Sequence, residues 1–165
     1  MKPLDQILDE LQGRDDCDFG SATRLPALPS GLLLPADLLT FYRRFGGGRM
    51  FGQPSDPRYR ISSPEDFVEI GMAIYGAPMG RPPQDSWYSL ADVQDGNYIA
   101  IDCHPARLGL CYDIFHETAS DLGNCRIIAR SFSEFLQRAA LSGDDAWWLG
   151  DRFEMYGYAD DQSQP

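Results

Sequence analysis

The stretch Asp95-Gly96-Asn97-Tyr98-Ile99-Ala100-Ile101-Asp102 contains a turn followed by a strand. An Asp-Gly pair between apolar runs is a strong hairpin signal, because glycine adopts the positive φ angles that tight turns require. Ile99 and Ile101 point to one face of the strand that follows. Residues 87–93 precede the turn as a strand of their own, so the sequence predicts an antiparallel pair here.

Two more strands and a helix are predicted downstream. The chain turns at residues 105–108, and residues 109–115 and 126–129 are predicted as the third and fourth strands. Ser131-Phe132-Ser133-Glu134 has the Ser-x-x-Glu pattern of a capping box, in which the serine accepts a hydrogen bond from the first turn of a helix. We therefore expect a helix that continues to Ala139.

Two helices are predicted upstream. Residues 3–12 place apolar side chains at the i, i+3, i+4, i+7 spacing of an amphipathic helix. Residues 35–45 begin with a proline, which suits a first turn, and end with two arginines, where cations are favoured. We expect the Gly46-Gly47-Gly48 run to end this helix, because glycine tolerates a left-handed cap.

The segments between these elements are shorter. Ser63-Pro64-Glu65-Asp66 has the pattern of a capping sequence and predicts a helix that continues to Ile70. Residues 49–52 and 58–61 are predicted as short strands, and residues 13–30 as a loop.

Helices that frame a strand meander indicate the α+β class. We expect a single domain over residues 1–150, with a mostly antiparallel, twisted sheet flanked by helices. The length of 165 residues is enough for a sound core. Residues 151–165 are predicted to form an acidic C-terminal tail that is partly disordered.

The chain is strongly acidic, with a formal net charge of −11. This charge argues against nucleic-acid binding, which needs a basic face. It suits a basic protein partner, because complementary fields speed association, and it equally suits a role in solubility alone.

No apolar run approaches the ~20 residues of a membrane span, and residues 1–11 lack the apolar core of a signal peptide. We therefore expect a cytoplasmic protein that binds no membrane.

The residues that carry chemistry make no recognisable site. The four cysteines are unevenly spaced, which favours free thiols in a reducing compartment. Cys103, His104, Cys111 and His116 lie near one hairpin, but no C-x-x-C or H-x-x-x-H pair is present, and a buried cysteine more often acts as a small apolar residue. There is no G-x-S-x-G, and the glycine run follows a helix instead of preceding one as in a phosphate loop. We expect no metal, no cofactor and no enzymatic activity.

One basic cluster stands out on this acidic chain. It comprises five arginines from the first third of the sequence: Arg43, Arg44, Arg49, Arg58 and Arg60. The cluster could hold a phosphate or a carboxylate, or its members could pair with the protein's own acids. Both interpretations remain open at this point.

Several short patterns in a fixed order resemble the SUKH superfamily, which is named partly for fungal cell-wall assembly regulators and includes many bacterial immunity proteins. The resemblance covers about residues 34–141. It is carried by Leu34-Pro35, Phe41-Tyr42 and the glycine run, then by Trp87-Tyr88-Ser89-Leu90, Gly96-Asn97-Tyr98-Ile99-Ala100-Ile101-Asp102, Gly109-Leu110-Cys111-Tyr112-Asp113 and Ile128-Ala129-Arg130-Ser131-Phe132-Ser133-Glu134-Phe135-Leu136. Most of these residues have structural roles, so the resemblance identifies a scaffold whose function lies on its surface.

The resemblance implies a non-catalytic protein-binding domain. Its first implied role is that of an immunity protein that neutralises a cognate toxin by direct binding, and nuclease toxins with basic active sites would suit the acidic charge. The alternative is a regulatory interaction module of the cell-wall assembly regulator type. These two roles, and the oligomeric state, stay open from the sequence.

We expect the partner to bind an acidic surface on or beside the strand meander, where turns expose charge on a rigid scaffold. Trp87 is expected in the core, and Tyr88 either in the core or at the interface as an aromatic anchor. The candidate partner-binding residues are Asp92, Asp95, Asp113, Glu117, Asp121 and Tyr88.

Overall fold

The computed structural model describes residues 1–162 and contains a seven-stranded antiparallel sheet in which the strands follow one another in chain order. The helices are α1 (Leu4–Gln12), α2 (Ala36–Arg44), α3 (Ile70–Tyr75) and α4 (Phe132–Ser142). The strands are β1 (Cys17–Ser21), β2 (Phe45–Gln53), β3 (Asp56–Ile61), β4 (Trp87–Asp92), β5 (Tyr98–Asp102), β6 (Cys111–Ile114) and β7 (Arg126–Ala129). The predicted α+β class with one domain is confirmed, and the four strands predicted after residue 87 lie within two residues of their expected bounds.

The sheet contributes side chains to two apolar cores. Alternate residues of β5 divide between them, since Ile99 and Ile101 enter the larger core and Ala100 enters the smaller one. The larger core contains buried residues of α1, α2 and α4, and the smaller contains Ile70 of α3 and the buried Trp87. The alternation that predicted β5 is therefore the alternation between two packed faces.

The Gln94-Asp95-Gly96 turn joins β4 to β5 as the sequence predicted. Val93 N–H donates to the carbonyl of Asn97 at 3.0 Å, which closes the hairpin. Gln94 and Asp95 both have positive φ angles, 80° and 55°, and Gly96 follows with 75°. Such angles are uncommon for non-glycine residues and persist only where the surroundings hold them.

The glycine run has a different role from the predicted helix cap. Helix α2 ends at Arg44, Phe45 is already extended with φ −136°, and Gly46-Gly47-Gly48 lies in the first half of β2. A Cβ on Gly46 would lie 2.4 Å from the carbonyl oxygen of Ser21, and one on Gly48 would lie 2.5 Å from Phe19 Cδ1. The glycines are needed because β1 approaches the backbone too closely for a side chain.

Two other expectations need correction. The predicted loop over residues 13–30 contains strand β1, which pairs with β2 from Cys17 opposite Met50 onwards. The predicted helix after Ser63 is only a turn: Ser63 Oγ accepts from Asp66 N–H, but Val68 leaves the helical path. The carbonyl of Val68 accepts from Ser89 N–H at 2.9 Å, so pairing with β4 replaces the continued helix.

The C-terminal segment runs along the outer edge of β7. The backbone of Ile127 exchanges hydrogen bonds with Tyr156 and Gly157, and Ala159 N–H donates to the carbonyl of Cys125. Ala159 is fully buried. Residues 163–165, the end of the tail expected to be partly disordered, lie outside the described residues.

Candidate functional site

The candidate surface lies at one end of the sheet, which we call the turn edge: residues 53–56, 92–97 and 115–117. The first range joins β2 to β3, the second joins β4 to β5, and the third follows β6. Because these strands are neighbours in an antiparallel sheet, their ends meet along one edge. The rigid strands behind them fix the positions of the side chains that they carry.

Two of the predicted acids, Asp92 and Asp95, meet at the turn edge. They line a cavity of ≈ 180 Å³ together with Asp56 and Arg60. Asp56 comes from the β2–β3 turn and is not among the partner-binding residues predicted from the sequence. Three carboxylates around one guanidinium give this cavity an acidic character that suits an arginine or lysine side chain from a partner.

Gln94 holds this cavity together. Its side-chain oxygen accepts from Arg58 Nη1 at 2.9 Å, and its nitrogen donates to Asp56 Oδ1 at 3.0 Å. Asp92 Oδ1 accepts from the backbone N–H of Gln94 at 2.9 Å. The turn is thereby fixed with Asp95 exposed at its tip.

Asp113 lines a second cavity of ≈ 320 Å³, in which Asp95 is also present. The carboxylate of Asp113 lies 2.6 Å from Arg126 Nη2 and is largely buried. Its charge is therefore already neutralised by the protein's own arginine. Arg58, Phe115 and other side chains complete this groove.

The other three predicted residues are not part of these two cavities. Glu117 and Asp121 are exposed beyond β6, and Asp121 accepts from Gly123 N–H as the cap of a 3₁₀ turn. Tyr88 is only 6% exposed and stacks on Phe67 with ring centroids 5.2 Å apart. Burial raises the pKa of Tyr88. The tyrosine is a core residue in this structure, as Trp87 is.

Two of the five arginines in the basic cluster pair with the protein's own acids. Arg44 contacts Asp5 at 3.1 Å and Asp9 at 2.7 Å, which ties α2 to α1. Arg49 contacts Asp18 at 3.3 Å across β1 and β2. For Arg44 and Arg49, the interpretation that the cluster pairs with the protein's own acids is therefore right.

The cysteines and histidines are placed in structural roles. All four cysteines are buried free thiols, and burial raises the pKa of Cys17 to about 11. His104 Nδ1 accepts from Ala106 N–H, and His116 Nδ1 lies 2.9 Å from Asn97 Oδ1. Over residues 1–162, no group of histidine, cysteine and carboxylate side chains is arranged to hold a metal ion.

Comparison with known proteins identifies the family. The model of the SMI1/KNR4 family (SUKH-1) matches residues 28–138, about two thirds of the chain. The chain belongs to the SMI1/KNR4 family. This confirms the resemblance predicted over residues 34–141. The chain is also 29% identical over 159 residues to the immunity protein YokJ of Bacillus subtilis (strain 168), a match that covers 96% of both chains.

The SMI1/KNR4 match covers all of the turn edge and strands β2 to β7, whereas α1 and β1 lie before it. It includes Asp92, Asp95, Asp113 and Glu117, and ends inside α4. Sequence reasoning missed Asp56 because no pattern shows which turns lie side by side before the order of the strands is known. Among the described residues, no helix is both long and apolar enough to cross a bilayer.

Proposed function

We propose that this chain is an immunity protein that neutralises a toxin by direct binding. The observation that carries the proposal is the similarity to a protein named as an immunity protein over 96% of both chains. A match of this extent includes the strands, helices and turns together, so it supports a shared overall role beyond a shared scaffold. Membership of the SMI1/KNR4 family agrees with this role.

The proposed contact surface is the turn edge with its acids. Asp92 and Asp95 share one cavity with Asp56. Glu117 is exposed in the segment that follows β6. Asp113 and Asp121 are weaker candidates, since Arg126 neutralises the first and the second caps a turn. Tyr88 is left out of the surface because it is buried.

The proposed toxin is basic and of the nuclease type. A nuclease must hold phosphates, so its active site carries cationic side chains. An acidic partner can cover such a site and be steered to it by the complementary charge. The net charge of −11 supports this choice of partner, and it disfavours nucleic acid as a partner in its own right.

We further propose that the protein acts in the cytoplasm, without catalysis and without binding a membrane. Four buried free thiols suit a reducing compartment. Burial raises the thiol pKa of Cys103, Cys111 and Cys125 as well as that of Cys17, so these groups are poor nucleophiles.

Co-expression tests the proposal directly. The probe is the product of the gene immediately upstream of the gene for this chain, expressed in a bacterial host with or without the chain. We expect growth arrest by the probe alone, rescue by the chain, and co-elution of the two purified proteins in size-exclusion chromatography. Arrest that persists when the chain is present at equal level would contradict the proposal.

The alternative is a regulatory interaction module of the cell-wall assembly regulator type, which the family resemblance also implies. The same experiment separates the two roles. An upstream product that does not arrest growth and does not co-elute would favour the regulatory role.

A further inference from the structure

Three large apolar side chains are exposed at or next to residues 115–117 of the turn edge. Tyr75 is 52% exposed, Phe115 43% and Leu149 63%. We call these three residues the apolar patch. They come from the end of α3, from the residue after β6 and from the 3₁₀ turn Trp147–Leu149.

The members of the apolar patch are linked through His116 and a shared groove. The Tyr75 hydroxyl donates to the carbonyl of His116 at 3.1 Å. The ring of His116 lies 4.9 Å from the ring of Phe115, and Phe115 and Leu149 line the same groove. Single exposed apolar residues are common on protein surfaces, whereas apolar residues that lie together form the kind of patch that serves in binding.

The apolar patch is held in place from behind. His116 N–H donates to Asn97 Oδ1 at 3.0 Å, which ties the Phe115 loop to the β4–β5 turn. Arg126 Nη1 donates to the carbonyl of Trp148 at 3.1 Å, which ties the turn that carries Leu149 to β7. A patch fixed in this way loses little conformational freedom when a partner binds.

Acidic side chains border the apolar patch. Asp95 lines the groove that contains Phe115 and Leu149, and over the described residues it makes no ion pair. Glu117 is exposed two residues after Phe115. A second copy of this chain would bring the same acids and another net charge of −11, so charge disfavours self-association here.

We propose that the apolar patch is the anchor for the toxin, and that its occupant is an apolar side chain of the toxin flanked by arginine or lysine residues. This inference rests on the proposed function. It assigns the two rate constants of binding to different residues. The apolar patch sets the dissociation rate, as buried aromatic anchors do, and Asp95 and Glu117 set the association rate.

Binding kinetics with the upstream gene product as the immobilised probe test this assignment. The variant Phe115→Ala/Leu149→Ala truncates two of the three side chains of the apolar patch, and both of them are exposed. The control is Leu141→Ala, since Leu141 is a leucine 79% exposed on α4 and away from the patch. The acid variant is Asp95→Asn/Glu117→Gln, and all variants are checked for unchanged unfolding midpoints.

We expect Phe115→Ala/Leu149→Ala to dissociate roughly 30-fold faster or more, the scale of a hot-spot truncation, with an almost unchanged association rate. The control should match the wild type, and the acid variant should mainly associate more slowly. If the wild type binds and protects but the Phe115→Ala/Leu149→Ala variant dissociates at the wild-type rate, the anchor is elsewhere and the immunity role stands. If the wild type itself does not bind, the proposed function fails.

Discussion

The indole Nε1 of Trp87 lies 3.1 Å from the carboxylate of Asp102, and the two residues face each other across β4 and β5. Asp102 is fully buried. Its carboxylate also lies 2.8 Å from Arg107 Nε and accepts from the Ser86 hydroxyl at 2.7 Å and from His104 N–H at 2.9 Å. A buried carboxylate is stable only when hydrogen bonds and a countercharge replace its hydration, and this network supplies both.

Asp102→Asn is expected to lower the free energy of unfolding by about 3 kcal/mol, because the amide leaves the largely buried Arg107 without a countercharge. Denaturant titration measures the change. The control is Asp85→Asn, at an exposed aspartate just before β4. A loss for Asp102→Asn no larger than that of the control would show that the network contributes no stability.

Gly48→Ala is expected to destabilise the fold by about 2 kcal/mol, in the range of overpacked sites, because its Cβ would lie 2.7 Å from the Asp18 carbonyl oxygen. Gly20→Ala is the matched control on the facing strand, since its Cβ meets only one atom, 4.0 Å away. Thermal unfolding of both variants checks the prediction. Equal midpoints would mean that β1 does not approach β2 as described.

The four thiols are expected to resist labelling in the native state. Burial raises the pKa of Cys17 to about 11 and that of Cys125 to about 12, so little thiolate forms at pH 8. Ellman's reagent should label the protein only after denaturation, and then at all four cysteines. Rapid labelling of any one thiol in the folded protein would contradict this burial.

The raised pKa values of the thiols predict how the free energy of unfolding depends on pH above neutrality. Each thiol has a higher pKa in the folded state than the ordinary value of 9.0, so the folded state retains protons that the unfolded state releases. The resulting stability is complete below about pH 9 and is lost as the pH rises towards the folded-state pKa. Denaturant titrations at pH 8 and 10 should therefore show a lower free energy of unfolding at pH 10; replacement of Cys17 by alanine should reduce the difference.

The sequence predicted the central strands well because local signals and tertiary contacts agree there. The Asp-Gly turn has the positive φ that it indicates, and Ile99 and Ile101 enter one core. The prediction that the glycine run caps α2 was wrong because a glycine that ends a helix and one that allows a strand to approach closely look alike in sequence. The prediction of a helix after Ser63 was wrong because Val68 pairs with β4, a long-range contact that a local pattern does not show.

The candidate site could be predicted only in part. The acids were identifiable as residues on or beside the strand meander, but the sequence did not show that Asp113 is neutralised by Arg126 while Asp95 is exposed. Nor did it show that Tyr75, Phe115 and Leu149 converge, since they lie far apart in the chain. Both features depend on the order of strands and on the path of the chain after α4.

The association rate constant with the upstream gene product tests most directly whether the acidic turn edge guides the chain to a basic toxin. The comparison is between the wild type, Asp92→Asn/Asp95→Asn and the control Asp85→Asn. Asparagine keeps the Oδ1 that accepts from Gln94 N–H, so the turn should persist.

We expect the wild-type rate constant to fall roughly tenfold as screening shortens from ~30 Å at 0.01 M salt to ~8 Å at 0.15 M. The double variant should associate more slowly at low salt and depend less on salt, and Asp85→Asn should behave as the wild type. A rate constant that is independent of salt and equal in all three proteins would contradict the account.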